Sequence, residues 1–116
     1  MPEPTRYYDR LTGRVAIVTG AGSQGEGVGT GKAISVAYAR EGAQVCLVDL
    51  HRERAEETRA MIEAAGGAAF VFAGDVTDTR VCASIVAATL EHYGRLDVLV
   101  NNVGVSAGGG EVSDLD

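Results

Sequence analysis

Basic residues are scarce in this chain. Ten Lys+Arg stand against sixteen Asp+Glu, a net charge of −6, and Lys32 is the single lysine. That balance excludes binding of a polyanion by bulk charge, so no nucleic-acid partner is expected and any phosphate must be held locally. Cysteine is limited to Cys46 and Cys82, with no CxxC pair and no histidine at ligand spacing. A disulfide framework and a metal site are therefore not expected, and both residues read as buried free thiols. The only prolines, Pro2 and Pro4, fall in an aperiodic stretch of mixed charge. Residues 1–12 accordingly read as an arm and 13–116 as the domain. No apolar run approaches the roughly 20 residues that span a bilayer, and the opening MPEPTRYYDR has no apolar signal segment, so a cytosolic chain without membrane contact is expected.

What remains is an ordinary globular composition. The 116 residues are 46% hydrophobic and 22% charged, with 16 glycines, which suits one domain and excludes a disordered tail, a collagen or a coiled coil. Four short apolar runs, Val15–Val18, Val45–Val48, Ala68–Phe72 and Leu96–Val100, read as strands buried on both faces. Three segments of helical period lie between them. Thr30 to Glu41 carries Ala33, Ile34, Ala37 and Tyr38 on one face and stops at Gly42. Arg52 to Ala65 carries Ala55, Met61, Ile62 and Ala65 and stops at Gly66. A third helix, capped by Thr77 or Asp78, presents Val81, Ile85, Ala88 and Leu90 and ends at Gly94. Strictly alternating strands and helices with buried strands predict an α/β fold: a doubly wound, Rossmann-like parallel sheet of strand order 3-2-1-4. The sheet reads as incomplete, because Val103–Asp116 is too short for another strand-helix unit and would leave the fourth strand with a bare edge prone to self-association.

The first strand runs into Gly20-Ala21-Gly22-Ser23-Gln24-Gly25-Glu26-Gly27-Val28-Gly29-Thr30-Gly31. A glycine-rich turn between a strand and a helix lets backbone amides approach a pyrophosphate and aims the helix N-terminus at it. A helix starting at Gly25 would carry three glycines in its first turns, at about 1 kcal/mol each relative to alanine. The helix therefore starts near Thr30, with Gly20 making the turn and Gly29 and Gly31 allowing close approach. Asp49 ends the second strand. There a carboxylate can accept from adenosine ribose hydroxyls and repel a 2′-phosphate, favouring NAD over NADP, although His51, Arg52 and Arg54 lie nearby. The competing reading of Asp49 is a cap for the following helix. That of Asp75 is an Asx turn with Thr77 and Asp78.

Three segments, Leu11-Thr12-Gly13-Arg14-Val15-Ala16-Ile17-Val18-Thr19-Gly20, Gly74-Asp75-Val76-Thr77-Asp78 and Gly94-Arg95-Leu96-Asp97-Val98-Leu99-Val100-Asn101-Asn102-Val103-Gly104, resemble in order and spacing the N-terminal half of a short-chain dehydrogenase/reductase. The resemblance implies an NAD(P)-dependent oxidoreductase acting on an alcohol or carbonyl. It makes Gly20, Gly29 and Gly31 the cofactor glycines, sets Ser23 and Thr30 beside the phosphates and Asp49 at the ribose, and lays Asp75 with Val76 against the adenine. Asn102 and Gly104 would line the cofactor by the fourth strand. Gln24–Val28 departs from the family loop as a five-residue insertion, and Val103 replaces the commoner alanine. The family's tyrosine with a lysine four residues on has no counterpart: Tyr7, Tyr8, Tyr38 and Tyr93 are followed at that spacing by Leu11, Thr12, Gly42 and Asp97. No catalytic residue is assigned, and the chain is expected to be a fragment, inactive alone. A small-molecule substrate and a homo-oligomer are implied only for a full-length form. The alternatives are a non-catalytic nucleotide-binding module and an S-adenosylmethionine-dependent methyltransferase.

Overall fold

The computed structural model describes residues 10–22 and 30–101. Four strands, β1 (Val15–Thr19), β2 (Gln44–Asp49), β3 (Ala68–Ala73) and β4 (Val98–Val100), alternate with α1 (Thr30–Arg40), α2 (Arg52–Ala64) and α3 (Thr79–Tyr93). The strands form one parallel sheet in the order β3-β2-β1-β4, as the alternation predicts. Side chains alternate between its two faces. Val18, Val45, Leu47 and Ala69 join Ala55 and Ile62 of α2 on one side, with Ile34 and Tyr38 of α1 packed against them. Ile17, Cys46 and Val48 meet Ile85 of α3 on the other.

The helix stops are local. Gly42, Gly66 and Gly94 all take positive φ, and the Gly94 amide donates to the Leu90 carbonyl to close α3. At the start of α3 the N-cap is Asp78, whose carboxylate accepts from the Arg80 amide.

The helix faces depart from expectation in a consistent way. In α1, Ala33 and Ala37 are exposed while Gly31 and Ser35 are buried. In α2, Met61 faces solvent, as does Ala65 at its C-cap, and Thr58 takes the inward place between Ala55 and Ile62. In α3, Leu90 is exposed and Thr89 buried. Small and hydroxyl-bearing residues occupy the contact line because they let a helix lie close to the sheet, and periodicity of apolar residues alone misses them. Cys46 is buried, but Cys82 is exposed, on the flank of the Ile85–Thr89 line.

Neither β3 nor β4 is buried on both faces: in β3 only Ala69 is buried and Ala68 is exposed, and β4 is shorter than expected, with Leu99 61% exposed. Asp97, just before β4, is tied to Val15 twice: its amide donates to the Val15 carbonyl at 2.9 Å and its Oδ2 accepts from the Val15 amide at 2.9 Å. Its two carboxylate oxygens also take the Arg95 guanidinium at 2.9 and 2.7 Å, and the registered strand pairs run from Ala16 with Val98. Leu11, the one apolar residue of the arm among the described positions, packs against the α1/α2 core. Among the described residues no helix is long and apolar enough to cross a membrane.

Candidate dinucleotide site

Because all four strands run parallel, their C-terminal ends share one edge, and the loops leaving β1, β2 and β3 meet there. Gly20 turns the chain with φ +64°, a left-handed conformation that suits glycine. Ala21 is fully buried, and its amide donates to the Val48 carbonyl at 3.0 Å. At Gly22 the loop passes so near α2 that an added Cβ would stand 2.8 Å from the Arg54 carbonyl carbon and 3.0 Å from Asp49 Oδ2.

Asp49 lies at the end of β2, 8% exposed. Its Oδ2 accepts from the Gly22 amide at 2.9 Å and its Oδ1 from the His51 amide at 2.8 Å, while its backbone carbonyl accepts from the Gly74 amide at 3.1 Å. It does not cap α2, whose N-cap is His51 without a side-chain bond. A carboxylate offers about four lone-pair sites. Two are taken by amides, so two remain for vicinal hydroxyls such as those of a ribose. Together with a glycine cradle that a methyl group would fill, this donor and acceptor set fits the adenosine end of a dinucleotide.

Thr30 opens α1 at the surface and Gly31 is buried behind it. Asp75 is exposed and does form the Asx turn: its Oδ1 accepts from the Thr77 amide at 2.9 Å and from Thr77 Oγ1 at 2.6 Å, and these bonds hold its carboxyl below the usual carboxylate range. Both bonds use Oδ1. Val76 is half-buried against the α3 core. Ser23, Gly29, Asn102 and Gly104 lie outside the described residues. At the point where the strand order reverses, Thr19 Oγ1 is 3.3 Å from the Val100 carbonyl oxygen and 3.2 Å from Asn101 Oδ1, bridging the ends of β1 and β4. Two residues of this edge, Gly22 and Thr58, take roles that were not expected of them. The signal available for Thr58 was a lone hydroxyl three residues after Ala55 and four before Ile62 on an apolar stripe.

The short chain dehydrogenase family model matches residues 14–116. General stress protein 39 of Bacillus subtilis is 42% identical over 111 residues, 89% of this chain and 37% of that protein. D-threitol dehydrogenase of Mycolicibacterium smegmatis is 43% identical over 97 residues, 84% of this chain and 35% of that protein. The crystal structure of hydroxysteroid dehydrogenase from Escherichia coli superposes with a TM-score of 0.77 at 35% identity, covering 89% of this chain and 40% of its own. This chain thus spans well under half the length of the relatives it matches, and it belongs to the short-chain dehydrogenase/reductase family.

Proposed function

We propose that the chain is the NAD-binding part of an oxidoreductase acting on an alcohol or carbonyl substrate. The observation that carries this reading is the Asp49 carboxylate, held by the Gly22 and His51 amides at the C-terminal edge of the sheet. Its two remaining acceptor sites suit ribose hydroxyls, and its negative charge disfavours a 2′-phosphate. Arg52, a cation that could offset that charge, is paired with Glu56 at 3.4 Å.

On the family pattern, Gly20, Gly29 and Gly31 admit the pyrophosphate to the start of α1, Ser23 and Thr30 flank the phosphates, Asp75 and Val76 border the adenine, and Asn102 and Gly104 line the cofactor beside the fourth strand. The dinucleotide supplies or accepts the hydride when bound. Within the 116 residues no tyrosine has a lysine four positions on, so we assign this chain cofactor binding and no proton transfer. By itself it turns over no alcohol or ketone, since a missing acid/base costs roughly 10²- to 10⁴-fold. A small-molecule substrate, homo-oligomeric assembly and a cytoplasmic location are proposed for the full-length form.

Calorimetric titration of the purified chain with NAD and NADP tests the assignment. NAD should bind more tightly, and Asp49→Ala should remove most of the difference. Equal or tighter NADP binding by the unmodified chain overturns it.

A further inference from the structure

Three hydroxyls on the helices, those of Ser35, Thr58 and Thr89, belong to residues that are completely buried. A buried hydroxyl needs an acceptor, and within a helix the nearest is the carbonyl four residues back. Ser35 Oγ donates to the Gly31 carbonyl at 2.7 Å and Thr89 Oγ1 to that of Ile85 at 2.8 Å. Thr58 behaves differently. Its Oγ1 is 2.9 Å from the carbonyl oxygen of Ala21, 37 positions away, and 3.4 Å from that of Arg54 in its own helix. One hydroxyl carries one proton, and the shorter contact takes it.

The Ala21 carbonyl and the Gly22 amide are the two ends of one planar peptide group. Thr58 holds one end and Asp49 Oδ2, 2.9 Å from the Gly22 nitrogen, receives the other. Glycine at position 22 gives this peptide plane rotational freedom that a side chain would have restricted, so the plane needs an outside anchor. The chain Thr58 O–H to Ala21 C=O and Gly22 N–H to Asp49 also polarises in one direction, each bond strengthening the next.

We infer that Thr58 is a positioning residue for dinucleotide discrimination: by holding the Ala21 carbonyl it fixes the rotation of the Ala21–Gly22 peptide and hence the aim of the Asp49 carboxylate. The inference rests on the proposed reading of Asp49 as the ribose acceptor. Thr58 touches no cofactor in this role and acts through the loop.

The test compares Thr58→Val, which keeps the shape and removes the donor, with Thr58→Ser, which keeps the donor. In the cofactor-free chain, amide hydrogen exchange at Gly22 should quicken about tenfold in Thr58→Val and stay near the original in Thr58→Ser. Calorimetry with NAD and NADP should show the ratio of their dissociation constants contracting about tenfold in Thr58→Val and preserved in Thr58→Ser. A residue that serves only stability would weaken both cofactors equally and leave the ratio unmoved, and that result overturns the inference. A Gly22 amide without protection in the unmodified chain overturns it with no variant at all. Asp49→Ala is measured alongside. If it collapses the ratio while Thr58→Val does not, the Thr58 inference alone fails; if it leaves the ratio intact, the reading of Asp49 fails and takes the inference with it.

Discussion

The Gly22 amide donates to Asp49 Oδ2 across 2.9 Å, joining the loop after β1 to the end of β2 over a separation of 27 residues. The bond occupies one lone pair on one oxygen and fixes the carboxylate where two strand ends meet. It also explains why position 22 admits no side chain: the approach that makes the bond brings the backbone against Arg54.

Gly22→Ala should therefore destabilise the chain by about 1–3 kcal/mol, the usual cost of forcing a methyl group into a filled site, and weaken NAD binding with it. Gly13→Ala is the control. Gly13 has φ +86° with nothing within 4 Å of an added Cβ, so the cost there is about 1–2 kcal/mol of backbone strain, with binding unchanged. Denaturant unfolding and calorimetry on both variants check the pair, and a Gly22→Ala variant that binds NAD normally would contradict the close-approach argument.

Asp97 ties the start of β1 to the approach of β4. The Arg95 guanidinium, then the Val15 amide, hold its carboxyl below the ordinary 3.8. A carboxyl depressed in the folded state contributes stability that is present above its unfolded pKa and is lost as pH falls through the folded one. Asp97→Asn should lower Tm at neutral pH, and the gap between the two proteins should close as the pH falls below 3.8. Thermal unfolding across a pH series measures it, and a gap that stays constant into acid would show that the charge is not what stabilises the junction.

The two thiols should differ sharply. Burial pushes Cys46 up to about 11, against a smaller opposing effect of its bond with Thr89, whereas Cys82 is exposed. A chromogenic disulfide reagent at pH 8 should modify Cys82 rapidly and Cys46 only after unfolding. Because the folded state keeps a proton that the unfolded thiol releases, this group's contribution is complete below 9.0 and is lost as pH rises through about 11. Two equally fast thiols in the folded chain would contradict the burial of β2.

Much of the architecture was legible in the sequence because the central strands are apolar at nearly every position and the helix stops are glycines. The strand order follows from the strands' strict alternation with helices, and the start of α1 at Thr30 from the cost of glycines inside a helix. The helix faces were less legible. Ala33 and Met61 are apolar yet exposed, while Ser35, Thr58 and Thr89 are polar yet buried, since a hydroxyl bonded to a carbonyl is as compatible with the interior as a methyl group. β4 starts later than the apolar Leu96 suggests, because Asp97 interrupts the apolar run and is committed to Val15 and Arg95. In the candidate site, Asp49 announces itself by ending a strand. Gly22 and Thr58 do not, because their partners lie 27 and 37 residues away and no local pattern records such a contact.

In the proposed reading, the C-terminal edge of the parallel strands receives the adenosine end of a dinucleotide. An amide chemical-shift map of the isotopically labelled chain titrated with NAD tests it most directly. The largest changes should fall at Gly20–Gly22, Thr30–Gly31, Asp49–His51 and Asp75–Val76, with Gly42, Gly66 and Gly94, which precede β2, β3 and β4 at the opposite edge, nearly unmoved. Changes concentrated instead on the groove between α1 and α2 lined by Val36, Ala39, Met61 and Gly67, or no changes at saturating NAD, would contradict it.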